Sequence, residues 1–353
     1  MVTLSSPQVS DNSPRDCGRR ISGGGHFPGG DPLNLDLIPT AVVAGIALAG
    51  LYGLLPVAIV LSYRISRTIA FIHGGIAAAA ALVYWLLALR DPLIPPELIS
   101  WSDGSGWGHR PELDPAMALV LTCLFGAVLG AAYGTVVMSR LVSALSPLTL
   151  TIVSLGTMMV LIGIFGFVNV EPDVVPPSPF GTHMFRIVGV NLIAHKIVTV
   201  LIVAVVSIAL AVWLALTHTG LCIRALADDI EAGVWCGIRL RLVGTGVYAA
   251  SGAMAALAGV LIAVAAGPNP DDMVVLFLRG LALAVVGGMR SLPLAFVAAL
   301  LLGIMETALI IGVFGDVGNP TREVILSGML LGAVLLMARM RREKFFLLER
   351  QAL

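Results

Sequence analysis

Long apolar runs separated by short polar connections dominate the chain. Nine such runs can be marked, and most are long enough for a helix to cross a bilayer, which takes about 20 residues. They cover residues 37–61, 68–89, 115–138, 148–168, 193–216, 243–266, 273–286, 292–313 and 324–338. Because a span must satisfy its own backbone hydrogen bonds, the pattern predicts an all-α fold, a polytopic integral membrane helical bundle of about 8–10 transmembrane segments.

The polar stretches divide the chain and indicate its orientation. Residues 1–35 are predicted to be a disordered polar tail, residues 36–340 the transmembrane domain and residues 341–353 a short basic tail. Basic residues favour the cytoplasmic side, so we expect the C-terminus inside and, after nine crossings, the N-terminus outside. Arg15, Arg19 and Arg20 run against this orientation, and the number of spans can be wrong by one.

Composition narrows the function classes. The 353 residues are 58% hydrophobic and only 12% charged, with equal numbers of basic and acidic side chains, so nothing points to nucleic-acid binding. The four cysteines show no metal-ligand or disulfide spacing. The only lysines are Lys196 and Lys344, and neither lies in a phosphate-binding P-loop, so we expect no ATP hydrolysis of that kind in this chain.

One polar stretch, residues 217–242, concentrates charge between two apolar runs; we call it the polar segment. Asp228 and Glu231 have the spacing of a capping box, which predicts a short helix that starts at Asp228. Ile230, Val234 and Ile238, with Trp235, predict one apolar face. Gly233 and Gly237 leave room for another backbone or a partner's side chains to come close. The segment is therefore either a docking surface on the aqueous side or a solvated loop with an interfacial helix.

Two apolar runs are interrupted by glycine, the first at His73, Gly74 and Gly75 and the second at Gly287 and Gly288, shortly before Ser291. Such pairs point to discontinuous helices and a central path in transporters. The alternative is that glycine permits close helix packing. His73 is either a hydrogen-bonding residue near the end of its span or a proton carrier.

Two charged residues, Arg279 and Glu306, lie well inside apolar runs. Counted at 1.5 Å per residue, both are roughly 10 Å deep from the same side of the membrane. Intramembrane charges usually pair or face a polar cavity. We expect them to pair, and the alternative is that they contact substrate or gate the path. The chain has no recognisable catalytic constellation and no metal-ligand cluster, so we expect a transport protein and no enzyme.

Several ordered motifs between about residues 40 and 340 resemble the permease of bacterial branched-chain amino acid ABC importers. The motifs are residues 51–55 (Leu-Tyr-Gly-Leu-Leu), 69–74 (Ile-Ala-Phe-Ile-His-Gly), 219–238, 251–261, 278–280, 286–291 and 302–306. The chain departs from the family pattern at Ala70, where the family usually has Asn, and at Arg290, where it has Gly. The resemblance places the protein in the bacterial cell membrane.

The resemblance also implies partners: a second homologous permease, two ATP-binding subunits that carry the ATP, and an extracytoplasmic solute-binding protein. It implies no cofactor in this chain. The polar segment would then be the loop that couples to the ATPase. The residues assigned to it are Arg224, Asp228, Asp229, Glu231, Ala232, Gly233, Gly237 and Ile238.

Two functions remain open from the sequence. The first is the permease subunit of an ABC importer for branched-chain amino acids or related small polar solutes such as amides and urea. The second is an ion-coupled secondary transporter that works without ATPase partners. The scarcity of intramembrane acids weakens the second, because ion coupling normally uses several.

Overall fold

A computed structural model describes residues 38–88, 114–137, 145–167, 175–180, 184–187, 190–289, 291–311, 321, 324–337 and 339. The predicted N-terminal and C-terminal tails, almost all of the 90–114 loop, and Arg290 lie outside the described residues. The predicted domain limits therefore stay predictions.

Each of the nine apolar runs forms a helix, and the bundle prediction is confirmed. The elements are α1 (Ile38–Ser66), α2 (Ile72–Ala88), α3 (Pro115–Val136), α4 (Pro147–Phe167), β1 (Met184–Ile187), β2 (Val190–Ile193), α5 (Ala194–Leu216), α6 (His218–Asp228), α7 (Ile230–Trp235), α8 (Leu240–Ala266), α9 (Pro270–Val286), α10 (Leu292–Ile311) and α11 (Val324–Met337). Six of the described helices (α1, α3, α4, α5, α8 and α10) are long and apolar enough to cross a membrane.

A short β-hairpin interrupts the otherwise helical fold of the described residues. Strands β1 and β2 pair as a short antiparallel hairpin, with Met184 opposite Ile193 and Ile187 opposite Val190. Strands of four residues are too short for a two-residue periodicity to be read with confidence from the sequence.

Helix α1 is the centre of the bundle, and 72% of its most apolar 18-residue stretch is buried inside the chain. It packs against α5, α8, α9 and α10, while α8 also covers α2 and α3. Small residues permit these crossings: a Cβ at Gly45 in α1 would overlap the backbone of Ile304 in α10, and one at Gly252 in α8 would overlap that of Gly126 in α3. Small residues on α8 thus let neighbouring helices approach closely.

The peripheral helices α3, α4 and α5 present apolar side chains outward. In the most apolar 18-residue stretch of each helix, only 22% of α3, 17% of α4 and 22% of α5 is buried. In α3, the buried residues Thr122, Gly126, Gly130 and Gly134 recur every four positions, which gives one small-residue face towards α8. The opposite face is left for lipid or another membrane subunit, as a hydrophobic helix surface requires.

Candidate functional site

The polar segment folds into two helices joined at a single residue, where one helix had been expected. Asp229 has an extended conformation (φ −149°, ψ 116°), ends α6 and begins α7. Its Oδ1 accepts hydrogen bonds from the backbone N–H groups of Glu231 (2.9 Å) and Ala232 (3.2 Å). The predicted cap at Asp228 is wrong, because Asp228 is the last residue of α6 and an N-cap residue needs a non-helical backbone.

Helix α7 is also closed at its other end. The N–H of Gly237 donates to the carbonyl of Val234 (2.9 Å), and that of Ile238 donates to the carbonyl of Gly233 (3.2 Å). Gly237 has φ +86°, a conformation that glycine adopts without strain. This pair of bonds is a Schellman motif. A helix of only six residues is thus fixed at both termini by its own sequence.

The two glycines of the polar segment have different surroundings. Gly233 is buried, and a Cβ there would meet the side chain of Leu226 on α6, so this space is filled from within the chain. Of the two alternatives, close packing within the chain is therefore the one seen at Gly233, and a partner's side chain has no room there. Nothing lies within 4 Å of a Cβ at Gly237, whose role here is to end the helix.

The outer surface of α7 is exposed and mixed in character. Trp235 is 89% exposed and Val234 is 48% exposed. Glu231 and Ala232 are exposed beside them, and Ile238 is half-buried. On α6, Ile223 and Leu226 point into the protein and are almost fully buried. The polar segment therefore has an inner face that packs on the bundle and an outer face with an unusually exposed tryptophan.

Two arginines anchor α6 to the membrane helices. Arg67, which follows α1, donates from Nη2 to the carbonyls of Ala227 (3.0 Å) and Asp228 (2.7 Å) at the end of α6. Arg224 donates from Nη2 to the carbonyl of Ala215 (3.2 Å) at the end of α5. Terminal helix carbonyls lack partners within their own helix, so a cation there satisfies both hydrogen bonding and charge. Arg67 was not identified from the sequence; its place in a basic turn next to a span was the available signal.

The intramembrane charges form the predicted pair. Nη1 of Arg279 on α9 lies 3.1 Å from Oε1 of Glu306 on α10. The same nitrogen donates to Oη of Tyr52 on α1 (2.8 Å), and the guanidinium lies 5.6 Å from the centre of the Tyr52 ring. Tyr52, Arg279 and Glu306, which we call the ionic cluster, therefore connect three helices. Tyr52 was missed because an aromatic residue in an apolar run usually signals packing alone.

The first glycine-rich interruption lies slightly earlier than expected. Helix α2 begins at Ile72 and continues through Gly74 and Gly75, so the non-helical backbone is at residues 67–71. A Cβ at Gly74 would meet Phe277, and one at Gly75 would meet Met158 and Leu161. These two glycines permit close packing, which was the alternative interpretation.

The non-helical backbone before α2 is satisfied by side chains. Ser154 on α4 accepts a hydrogen bond through Oγ from the N–H of Phe71 (3.1 Å), and its Oγ lies 3.1 Å from the carbonyl of Ile69. His73 is fully buried, with Nδ1 2.9 Å from the carbonyl of Ala70. The local hydrogen-bonding role of His73 agrees with this contact. Ser154 was not identified from the sequence.

The second interruption lies where it was expected. Helix α9 ends at Val286, Gly287 follows, and Gly288 and Met289 have φ +75° and +59°. Ser291 accepts a hydrogen bond through Oγ from the N–H of Leu294 (3.4 Å) at the start of α10. A Cβ at Gly287 would meet Ala295, so α10 folds back closely on the end of α9. Whether these residues line a path stays a prediction.

Comparison with known proteins gives a consistent result. The family model described as "Branched-chain amino acid transport system / permease component" matches residues 41–338. The high-affinity branched-chain amino acid transport system permease protein LivH of Escherichia coli K12 is 26% identical over 273 residues, which cover 74% of this chain and 82% of the relative. LivH of Salmonella typhimurium is 24% identical over the same coverage.

A further relative matches a smaller part of the chain. The permease protein BraD of Pseudomonas aeruginosa, from a high-affinity branched-chain amino acid transport system, is 28% identical over 144 residues, 40% of this chain and 46% of the relative. No solved structure matches the chain. The family match includes the polar segment, both interruptions and the ionic cluster.

Proposed function

The chain belongs to the permease-component family of branched-chain amino acid transport systems and is a multi-pass membrane subunit of an ABC importer. From this premise we propose that residues 228–238, within the polar segment, form the surface on which the ATPase acts. The outer face of α7, with Glu231, Val234 and Trp235, would contact the ATPase. Arg224, Asp228, Asp229, Ala232, Gly233, Gly237 and Ile238 would hold that face in place.

The geometry of α7 is the observation that carries this proposal. A six-residue helix is too short to persist alone, yet this one is capped at both ends and packed through Gly233 on Leu226. It nonetheless exposes 89% of a tryptophan to the surroundings. Tryptophan is enriched among the residues that dominate protein–protein binding energy. A rigid helix that presents one fits a docking surface better than a solvated loop.

An ABC importer works with ATPase and binding-protein partners, and we propose a specific composition for this one. A second homologous permease would complete the membrane unit, two ATP-binding subunits would carry the ATP, and an extracytoplasmic solute-binding protein would deliver the substrate. This chain would need no cofactor of its own. The outward apolar faces of α3, α4 and α5 supply surface for the second permease as well as for lipid.

We propose branched-chain amino acids, or related small polar solutes such as amides and urea, as the substrates. The proposal draws on the transport systems after which LivH and BraD are named. The same comparisons do not support the alternative of an ion-coupled secondary transporter. Uptake of labelled leucine, valine and urea is measured in vesicles that contain the assembled importer. Only solutes of the true substrate class should be taken up at low concentration, so the assay separates the classes.

The coupling proposal is tested with Glu231→Arg. Charge reversal on the outer face should uncouple the subunits, so that substrate uptake falls while the variant folds and inserts normally. The experiment measures uptake and ATPase activity of the reconstituted complex, together with co-purification of the ATPase subunits in gentle detergent. Arg241→Glu, an exposed charge reversal outside α6 and α7, is the matched control.

Two results would count against the coupling proposal. The first is uptake at the wild-type level in the Glu231→Arg complex, because charge reversal at a real contact with the ATPase should lower uptake. The second is an equal loss in the Arg241→Glu control, which would indicate a general effect of surface charge. Recovery of the tagged chain alone, stable and monodisperse, from its own membrane would instead contradict the proposed subunit composition.

A further inference from the structure

A pocket of about 230 Å³ lies where the end of α1 meets the end of α6. Three of its residues are arginines from two different elements of the chain: Arg64 in the last turn of α1, Arg67 just after it, and Arg224 on α6. Tyr63, Ala227 and Asp228 complete the lining. We call it the arginine pocket.

The described lining of the arginine pocket is mainly basic. Its lining contains three guanidinium groups and a single carboxylate, that of Asp228. Like charges gathered in one concave site repel one another, and the repulsion is stronger there than in open water because the site is partly screened from solvent. An anion bound between the arginines would relieve this repulsion.

Arg67 and Arg224 also retain hydrogen-bonding capacity. Arg67 and Arg224 use Nη2 for their bonds to the carbonyls of α6 and α5. A guanidinium carries five N–H groups, so the three on Nε and Nη1 of each side chain have no hydrogen-bond partner among the described residues. The carbonyl contacts at the same time hold each guanidinium in a fixed position. Fixed, planar donor groups of this kind match the oxygens of a phosphate.

The location of the pocket indicates the source of the anion. Arg64 belongs to the last turn of a membrane-spanning helix, so the pocket lies where that helix leaves the membrane. Basic pockets between membrane helices at this level bind the head groups of anionic lipids. We propose that the arginine pocket binds a phosphate group, supplied by an anionic phospholipid or by a soluble phosphate, and that the bound phosphate links α1 to α6.

This inference does not depend on the coupling role of α7, because it concerns only the junction of α1 and α6. The test uses the complete importer in detergent and native mass spectrometry, with phosphatidylglycerol as the probe and phosphatidylcholine as the neutral comparison. A parallel arm adds sodium phosphate, against sodium chloride of equal ionic strength, and follows thermal unfolding.

The key variant is Arg224→Gln, which removes the charge but keeps an amide that can donate to the carbonyl of Ala215. Loss of a charge-assisted contact should weaken phosphatidylglycerol retention about tenfold. Arg224→Lys, which preserves the charge, should keep most of the binding and shows that the loss is not a folding defect. Arg241→Gln removes an exposed arginine outside the pocket and should bind like the wild type.

The two arms identify the source. Retention of phosphatidylglycerol without an effect of free phosphate assigns the site to a lipid, and stabilisation by free phosphate alone assigns it to a soluble ligand. Wild-type binding in Arg224→Gln would overturn the proposal, as would an equal loss in Arg241→Gln, which would mean diffuse attraction to the surface. Absence of any effect of either probe on the wild type would also overturn it.

Discussion

The ionic cluster and the outer face of α7 use charge in opposite ways. In the cluster, Glu306 is 5% exposed and is paired with Arg279, which also binds Tyr52. On α7, the carboxylate of Glu231 is exposed. Burial makes a charge expensive unless it is paired, whereas an exposed charge costs little and contributes little to folding. The first region therefore concerns the fold, and the second is available for a partner.

The strongest test of this contrast is to break the buried pair. Glu306→Gln leaves a guanidinium that cannot lose its charge, while Arg279→Gln leaves a carboxylate that can take up a proton. We expect Glu306→Gln to destabilise the protein by about 3–5 kcal/mol and Arg279→Gln by less. Thermal unfolding of the purified variants in detergent measures both.

The double variant Arg279→Gln with Glu306→Gln is the control for the buried pair. It removes both charges and leaves two amides, so its stability should return towards that of the wild type. If the two single variants unfold at the wild-type temperature, the ionic cluster does not stabilise the fold. If the double variant folds but transports nothing, the cluster contributes to transport beyond its structural role.

A smaller effect is expected from Tyr52→Phe. The change removes the hydroxyl that accepts from Arg279 but keeps the aromatic ring beneath the guanidinium. Loss of a hydrogen bond to a charged group should cost about 1.5–3 kcal/mol. The same unfolding measurement applies, with Tyr52→Leu as the comparison that removes the ring as well. Equal stability of the phenylalanine variant and the wild type would show that the ring alone supports Arg279.

The cap of α7 permits a test with neighbouring aspartates. Asp229→Ala removes the side chain that accepts from Glu231 and Ala232 and should destabilise α7 by about 1 kcal/mol. Asp228→Ala changes the adjacent residue, which does not cap α7, and serves as the control. Hydrogen exchange of the α7 amides measures the difference. Faster exchange in the Asp228 variant than in the Asp229 variant would contradict the assignment of the cap.

The smallest effect on stability is expected from Trp235→Ala. Since the side chain is 89% exposed, its removal should change the free energy of unfolding by less than about 0.5 kcal/mol. Binding of the ATPase subunits should nevertheless weaken, by about 2 kcal/mol or more if Trp235 dominates the contact. Thermal unfolding and co-purification are measured on the same sample. If Trp235→Ala unfolds at a lower temperature than the wild type but binds the ATPase subunits normally, Trp235 supports the fold and not the contact with the partner.

Much of this architecture follows from the sequence, because membrane burial imposes simple rules. The nine apolar runs are helices, and the depth of Arg279 and Glu306 in two neighbouring runs was enough to pair them. The glycine break after Val286 was also located correctly. In each case the cost of an unsatisfied polar group or charge in an apolar medium leaves few alternatives.

The errors have a different origin. Asp228 and Asp229 both have the chemistry of a cap, and only the extension of α6 to Asp228 decides between them. Likewise, Leu226 fills the space beside Gly233 only because α6 exists, and α6 was not anticipated from its few apolar positions. Ser154 and Tyr52 act on residues more than 80 positions away in the chain. Tertiary contacts decide all these features, and a single sequence does not state them.

The two hydrogen bonds from Arg67 have a mechanical consequence. They join residues 160 and 161 positions apart and fix the end of α6 to the junction between α1 and α2. The other end of α6 is fixed by the cap at Thr217 and continues directly from α5. Because both ends of α6 are held, the helix can transmit a displacement from one end to the other as a rigid element. A force applied to α7 would therefore be passed to the end of α1 near Ser66 unless the two bonds broke first.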